Sequence, residues 1–208
     1  MSVPDQDLLI ASRSADKVRE IRQILQPALG TRLLSLADLE IAPDPAEDDV
    51  EIHHTFRGNA LAKARYFQRL TGMRTLADDS GIEIDALHGA PGVLSKRFAD
   101  RPDLSGLALD QANNKLLLHQ LAGVSKSLRG ARYVCAAVLL HHGNQPPFTC
   151  LGTCRGSILE APRGSGGFGY DPLFLLPQLD RTFGELPATE KHRFSHRARA
   201  FRALAAWL

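Results

Sequence analysis

The chain has 208 residues, enough for one large domain or two closely packed lobes with a substantial core. Its 44% hydrophobic and 23% charged residues are typical of a soluble globular protein and argue against disorder. A formal net charge of +2 argues against a general nucleic-acid or membrane-surface binder, although clustered positive charge could still bind a small anion.

In chain order the sequence predicts strands and helices without strict alternation. The predicted elements are the buried strand DLLIAS, a helix over 14–25, a helix over 55–70, the strand RTLADD continued by SGIEIDAL, a helix over 107–121, the strands ARYVCAAVLLH and FTCLGTCRGSI, the strand-like run LFLLP, and a closing helix in SHRARAFRALAAWL. Ile82, Ile84 and Ala86 are expected on one face of their strand, and Ser195 is expected to cap the last helix. This order favours a mixed α/β or α+β sheet core over a regular doubly wound fold.

The N-terminal segment and the cysteines bear on location. The first twelve residues, MSVPDQDLLIAS, lack the basic segment and long apolar core of a signal peptide, and no apolar run reaches the roughly 18–20 residues of a membrane span. Cys135, Cys150 and Cys154 are odd in number and match no zinc spacing. We therefore expect buried free thiols in a cytoplasmic protein.

The segment SRSADK, residues 12–17, lies where the first predicted strand meets its helix. The unpaired N–H groups of a helix N-terminus favour an anion. Ser12 and Ser14 add hydroxyl groups, and Lys17 adds a positive charge. The alternative is that Ser14 only caps the helix while Lys17 points into water.

Two acidic segments are candidates for catalytic or metal chemistry. In ADDSG, Asp78 and Asp79 are neighbours on a strand and should point to opposite faces, so we expect one of them to be the principal catalytic carboxylate. The alternative is a polar turn that starts at Ser80. The segment AEDDVEIHH, residues 46–54, supplies carboxylates, of which Mg²⁺ usually takes one or two, and the alternative there is an acidic surface loop.

Two further segments are rich in glycine or in basic residues. GSGGFGYDP, residues 164–172, lacks the Lys-Ser/Thr ending and the following helix of a Walker loop, so phosphate binding is not its best interpretation. EKHRFSHR, residues 190–197, brings Lys191, His196 and Arg197 to a predicted helix start. These donors could bind a phosphate or the acceptor edge of a base, or they could form a solvated basic face.

Taken together and in this order, five segments resemble the inosine triphosphate pyrophosphatase family. They are SRSADKVREI, TFRGNALAKA, LADDSGIEIDALHGAPGVLSKRFA, PRGSGGFGYDPLF and TFGELPATEKHRFSHRARAFRAL. The resemblance covers nearly the whole chain, with Ser14 where the family has Asn and Glu51-Ile52-His53 where it has Glu-Thr-Gly. It implies a single domain over 1–208 with a mixed α/β fold, a long central sheet, two lobes with the active-site cleft between them, and a homodimer.

The resemblance also implies a reaction and a set of site residues. Members of the family hydrolyse non-standard purine nucleoside triphosphates such as ITP, dITP and XTP with Mg²⁺, and release the monophosphate and pyrophosphate. By motif, Asp79 is the catalytic and metal-linked aspartate, and Glu51 is the second metal ligand. The substrate positions are Ser12, Arg13, Ser14, Ala15, Asp16, Lys17, Lys63 and Ser80 for the phosphates and ribose, and Phe168, Gly169, Tyr170, Asp171, Lys191, His196 and Arg197 for the base.

This resemblance predicts that Asp79 orients or deprotonates the attacking water while Lys17 and Lys63 stabilise the leaving pyrophosphate. Cationic donors would recognise the 6-oxygen of the base, which adenine replaces with an amino group. Two other functions stay open: a pyrophosphatase of the Maf type that acts on other modified nucleotides, and a nucleotide-binding sensor that does not hydrolyse. No nucleic-acid or membrane partner is expected.

Overall fold

The computed structural model describes residues 7–26, 30–143 and 145–208, which contain five α-helices and seven β-strands. The strands are β1 (Leu8–Ile10), β2 (Leu33–Ser35), β3 (Arg74–Ile84), β4 (Gly130–Leu140), β5 (Phe148–Ile158), β6 (Phe174–Leu176) and β7 (Arg181–Thr182). The helices are α1 (Ala15–Leu25), α2 (Phe56–Thr71), α3 (Gly106–Gln120), α4 (Ala188–Phe194) and α5 (His196–Ala205). The predicted mixed α/β class is confirmed.

The seven strands form one mixed sheet in the order β2-β1-β3-β4-β5-β6-β7. β1 is parallel to both β2 and β3, with Ile10 opposite Leu76. β6 is antiparallel to both β5 and β7. α1 follows β1, so its N-terminus lies at the carboxyl end of a strand that is parallel to both neighbours, which is the edge where ligands bind in such sheets.

The helices predicted over 14–25 and 55–70 correspond to α1 and α2, and each begins and ends within one residue of its expected position. Ser14 caps α1, since its Oγ accepts a hydrogen bond from the N–H of Lys17 at 3.3 Å. Thr55 caps α2, and Gly72 ends it in the left-handed conformation at a φ of 69°. Both caps satisfy backbone groups that the helix itself leaves unpaired.

β3 corrects one expectation about the acidic segment. The strand runs without interruption through ADDSG, so the interpretation of a polar turn at Ser80 is wrong. Ala86, expected on the strand, lies instead in a 3-10 turn over Asp85–Leu87. The strand ends there because the chain reverses: the N–H of Gly89 donates to the carbonyl of Ile84.

The described residues divide into two compact units. The first consists of the described parts of Met1–Asp79, Cys135–Gly152 and His196–Leu208, and its core packs α1 and α5 with β1 around Ile21 and Phe201. The second consists of Ser80–Val134 and Thr153–Ser195, and the rings of Tyr133, Phe174 and Phe183 pack in its core. β3, β4 and β5 each run from one unit into the other. Across the described ranges, no helix is both long enough and apolar enough to cross a membrane.

Candidate active site

Charged and amide side chains gather in the interior of the first unit, and we name this group the carboxylate cluster. Its members come from α1, the segment before α2, α2 itself, β3 and α5. They are Lys17, Glu20, Glu51, Asn59, Lys63, Asp78, Asp79 and Arg197.

Asp78 is a fully buried anion at the centre of this cluster. Its Oδ2 lies 3.3 Å from Nε and from Nη2 of Arg197, and 3.4 Å from Nζ of Lys17. Burial raises the pKa of Asp78, but attraction to Lys17 and Arg197 outweighs burial and holds that pKa well below its ordinary value. Arg197 is in turn bound by Glu20, with Nη1 2.6 Å from the carboxylate. Asp78 therefore remains ionised and acts as an electrostatic partner of the cations.

Asp79 has a different environment, although it is the next residue of the strand. Its Oδ2 accepts a hydrogen bond from Nδ2 of Asn59 at 3.0 Å. Burial raises the pKa of Asp79, and the charge of Glu51 raises it further, against the opposing pull of Lys17 and Lys63. The two aspartates therefore have different hydrogen-bond partners, as strand alternation predicts. The charges of Lys17 and Lys63 nevertheless act to lower the pKa of both. A raised pKa suits a carboxylate that accepts a proton.

Glu51, in the segment before α2, and Lys63 of α2 form an ion pair in which Lys63 is buried and Glu51 is partly exposed. Burial raises the pKa of Glu51, but the charge of Lys63 and its hydrogen bond lower it by more. Burial lowers the pKa of Lys63, and the surrounding carboxylates, Glu51 first, raise it above its ordinary value. Both groups therefore stay charged.

The carboxylates of this cluster fit a Mg²⁺ site of the kind completed by substrate. Glu51 and Asp79 lie close enough for the charge of Glu51 to raise the pKa of Asp79. Among the residues that the structure describes, no group of three or more His, Cys, Asp or Glu side chains converges on one point. Mg²⁺ commonly takes only one or two carboxylates and completes its shell with water and phosphate oxygens.

The segment 12–17 lies at the start of α1, as expected. Ser12 is buried, and its Oγ accepts a hydrogen bond from the N–H of Ser14 at 3.2 Å. The interpretation that Lys17 points into water is wrong, because its side chain is only 16% exposed and faces Asp78. The side chain of Asp16 pairs with Arg19 at the surface, and Ala15 is exposed as the first residue of the helix.

A second buried group, the lysine–aspartate cluster, lies in the second unit. Oδ2 of Asp171 accepts hydrogen bonds from Nζ of Lys191 at 2.5 Å and from the N–H of Phe168 at 3.0 Å. Its Oδ1 accepts from the hydroxyl of Tyr133 at 3.2 Å. Nζ of Lys191 also lies 5.1 Å from the centroid of the Phe168 ring and 5.4 Å from that of Phe183. One lysine thus links the aspartate to two aromatic faces.

The glycines of GSGGFGYDP allow this loop to pack against its own aspartate and a neighbouring backbone. Gly167 has a φ of 71°, and a Cβ there would lie 2.0 Å from Oδ2 of Asp171. A Cβ on Gly164, at a φ of 78°, would lie 2.3 Å from the carbonyl oxygen of Gly184. The loop leads into β6 rather than a helix, which confirms that the context of a Walker loop is missing.

α3 holds this loop through groups that the sequence analysis did not identify. The N–H of Gly169 donates to Asp110 at 2.7 Å, and its carbonyl accepts from Asn114 at 3.0 Å. Asp110 and Asn114 are four residues apart and so lie on the same side of the helix, which was an available signal. Tyr170 is 4% exposed, and its hydroxyl donates to the carbonyl of Ser95 at 2.7 Å, so this side chain anchors the loop in the core.

The basic run EKHRFSHR lies on two helices and in both units. Lys191 belongs to α4 in the second unit, whereas His196 and Arg197 begin α5 in the first. All three are at most 3% exposed, so the interpretation of a solvated basic face is wrong. The reason is that buried carboxylates neutralise the two long side chains: Asp171 pairs with Lys191, and Glu20 with Asp78 pairs with Arg197.

Asn59 and Glu20 are further site residues that sequence reasoning missed. Asn59 and Lys63 are four residues apart on α2, and both are buried on the face that also carries Ala60 and Ala64. Two polar residues among the apolar positions of a helix were a detectable signal. Glu20 gave no comparable signal, because its partner Arg197 is 177 residues away. Ser80, the last predicted phosphate position, follows Asp79 in β3 and is half-buried.

The chain is an α/β protein with one mixed sheet, in which the capped N-terminus of α1 lies beside buried carboxylates and lysines. Residues 8–207 match the model of the Ham1 family. The chain belongs to this family, which confirms the membership expected from its five motifs.

Relatives and solved structures agree with this assignment. The dITP/XTP pyrophosphatase of Ralstonia nicotianae is 46% identical over 198 residues, which span 95% of this chain and 94% of the relative. The dITP/XTP pyrophosphatase of Leptothrix cholodnii is 44% identical over 209 residues, which span 96% of this chain and 95% of the relative. The structure of a HAM1 protein from Coxiella burnetii is similar with a TM-score of 0.81 at 34% identity, and covers 97% of both chains.

Proposed function

We propose that this protein hydrolyses non-standard purine nucleoside triphosphates, such as ITP, dITP and XTP, to the monophosphate and pyrophosphate, and so removes them from the nucleotide pool. The observation that carries the proposal is Asp79, a buried carboxylate that the amide of Asn59 holds at 3.0 Å, within electrostatic range of Lys17 and Lys63. Relatives of nearly the same length that are named dITP/XTP pyrophosphatase support the choice of substrate.

The residues of the first unit are assigned to the phosphates. The N–H groups at the start of α1, with the hydroxyls of Ser12 and Ser14, would bind phosphate oxygens. Lys17 and Lys63 would stabilise the negative charge that develops on the leaving pyrophosphate. Asp79 would orient the attacking water and accept its proton. Asn59 holds this carboxylate in place through its amide.

Glu51 and Asp79 are the residues that would hold Mg²⁺. When bound, such an ion lowers the pKa of a coordinated water and offsets phosphate charge. Lys63 keeps Glu51 ionised, which a metal ligand requires. Asp78 would not need to touch the metal to contribute, because its carboxylate lies 3.4 Å from Nζ of Lys17 and so positions that side chain.

The residues of the second unit are assigned to the base. Phe168 is partly exposed and offers an aromatic face for stacking, with Lys191 held close to its ring. Lys191 stays a predicted donor to the 6-oxygen. His196 and Arg197, which were predicted for the same role, belong to the first unit, where Arg197 pairs with Asp78 and Glu20. A site built on such a hydrogen bond can disfavour the adenine amino group by roughly 10⁴. Gly169, Tyr170 and Asp171 would shape the loop that carries Phe168.

The location and assembly of the protein are also proposals. The three cysteines are free, which fits a reducing cytoplasm. The homodimer that the family resemblance implies stays a prediction.

The test is a product assay with ITP, dITP, XTP, GTP and ATP, with and without Mg²⁺. We expect Mg²⁺-dependent release of pyrophosphate, with kcat/KM for ITP and XTP at least about 100-fold above that for ATP. Binding of ITP without turnover would instead support a sensor. Release of single phosphates, or a preference for modified pyrimidine nucleotides, would also overturn the proposal.

A further inference from the structure

Arg13 lies within the segment assigned to the phosphates, but its side chain binds another part of the protein. Its Nε donates to Oε2 of Glu47 at 2.9 Å, and its Nη2 donates to Oε1 of the same carboxylate at 2.5 Å. Nη1 donates to the carbonyl of Ile41 at 2.5 Å, and Nη2 also donates to the carbonyl of Ala42 at 2.8 Å. The planar fork of the guanidinium therefore binds both ends of the acidic segment 41–47.

The same guanidinium also contacts α2. Its central carbon lies 5.6 Å from the centroid of the Phe67 ring. A cation over an aromatic face is attracted by the ring electrons and is held in one plane. Arg13 consequently joins the start of α1, the acidic segment and α2.

Glu47 is held in place by hydrogen bonds within its own segment as well as by Arg13. It lies in the 3-10 helix Pro45–Asp49, and its Oε1 accepts the N–H of Asp44 at 3.1 Å. The carboxylate of Asp44 accepts the N–H of Ala46 at 2.8 Å, and it also accepts the N–H of Glu47 in return, which completes a capping box. Arg13 thus binds a short, internally fixed helix and not a loose acidic side chain.

Glu51 follows this helix two residues after its end, and its carboxylate pairs with Lys63 of α2. Residues 41–51 are therefore held at two points, by Arg13 at one end and by Lys63 at the other. We propose that Arg13 is a positioning residue that fixes this segment so that Glu51 is presented to the metal and the triphosphate. The inference rests on the proposed function, and it reassigns Arg13 from direct phosphate contact to action through Glu47 and Glu51.

Five variants test this role. They are Arg13→Ala, Arg13→Lys, Glu47→Gln, the double variant Arg13→Ala with Glu47→Gln, and the control Arg19→Ala. Arg19 is also an exposed arginine, and its ion pair is with Asp16 on the same helix and not with the acidic segment. Binding of Mn²⁺ alone, hydrogen exchange of the 41–51 amides, and KM for ITP at saturating Mg²⁺ are measured for each. Thermal melting confirms that each variant folds.

For Arg13→Ala we expect Mn²⁺ binding to weaken about tenfold and the 41–51 amides to exchange faster, with KM for ITP at saturating Mg²⁺ changed less than about threefold. Glu47→Gln should act in the same direction. Mn²⁺ binding of the double variant should be no weaker than that of the weaker-binding single variant, since both substitutions remove the same Arg13–Glu47 interaction. Arg13→Lys should fall in between, because an ammonium cannot form the bidentate pair. Arg19→Ala should behave as the wild type.

A rise in KM for ITP at saturating Mg²⁺ with unchanged exchange of residues 41–51 would overturn the inference, because direct phosphate contact predicts that result. The inference would also be overturned if Glu47→Gln changed neither Mn²⁺ binding nor the exchange of the 41–51 amides. Failure of the wild type to release pyrophosphate would refute the proposed function instead, and the Mn²⁺ and exchange measurements would still decide the role of Arg13.

Discussion

The two units bury charge in different ways. The carboxylate cluster of the first unit combines four acidic side chains with three basic ones, and the pKa values of its neighbouring aspartates are shifted in opposite directions. In the lysine–aspartate cluster of the second unit, Asp171 is matched by one lysine, one hydroxyl and one peptide N–H. Where buried acidic side chains outnumber the basic ones, one carboxylate can have a raised pKa, which suits it to accept a proton. A matched pair fixes the shape of a loop.

The largest effect that separates the two clusters is expected for Asp79→Asn. The amide cannot accept a proton and is a weaker metal ligand, so kcat for ITP should fall about 10³-fold. The free energy of unfolding of the metal-free protein should stay the same or rise, because the variant removes a carboxylate whose ionised form the fold disfavours. Steady-state kinetics and urea denaturation measure the two quantities. Retained turnover together with a loss of stability would show that Asp79 has a structural role, like Asp171 in its pair with Lys191.

The pH dependence of stability sharpens the same contrast. The pKa of Asp79 in the folded state is raised above its ordinary value of 3.8, so the folded protein holds more protons than the unfolded chain from there up to the raised value. The stability of the wild type relative to Asp79→Asn should therefore fall as the pH rises through this window. Asp78 has the opposite sign: its lowered pKa contributes stability above 3.8 that is lost as the pH falls below it. Denaturation of the wild type and the variant from about pH 4 to 8 measures the difference.

For the second unit we expect Asp171→Asn to act on stability before chemistry. The change leaves the ammonium of Lys191 buried without its carboxylate, and breaking a buried pair in this way costs about 3–5 kcal/mol. Urea denaturation measures that loss. Asp103→Asn, which breaks an exposed pair with Arg101 in the same unit, is the matched control and should cost less than about 1 kcal/mol. Equal costs for the two variants would show that burial of the pair contributes nothing.

A smaller effect is expected for Phe168→Ala, which removes the proposed stacking face without disturbing the ion pair. KM for ITP should rise about tenfold, the loss of one aromatic contact, while kcat changes little. Phe168→Tyr keeps the ring and should retain a KM near that of the wild type. An unchanged KM in the alanine variant would remove Phe168 from the base site.

Local signals in the sequence were sufficient for much of this fold. Ser14 and Thr55 precede apolar helical repeats, and they mark the starts of α1 and α2 in the structure. β2, α4 and β7 were not predicted, because they are three, seven and two residues long and carry little periodic pattern. β1 and β6 are only three residues long as well, but they lie in the apolar runs DLLIAS and LFLLP, which were predicted as strands.

The partners of the charged residues were harder to predict than the elements. Arg13 was assigned to the phosphates because it lies in a segment that matches a family motif, but the carboxylate that it binds, Glu47, lies 34 residues further on. The run that contains Lys191 and Arg197 resembled a surface because single charges are rarely buried. Only tertiary pairing with distant carboxylates shows that both are interior groups.

The unbroken course of β3 has a consequence for how this chain can change in length. Leu76 is paired with Ile10 across the sheet, and the two aspartates follow it directly after one alanine. Because side chains alternate along a strand, inserting or deleting one residue here would exchange the two carboxylates between environments that shift their pKa values in opposite directions. We expect insertions and deletions to be excluded from residues 74–79 among functional variants, whereas point substitutions at exposed positions elsewhere are tolerated. We therefore expect function to depend more on the length of this short stretch than on the identity of most of its residues.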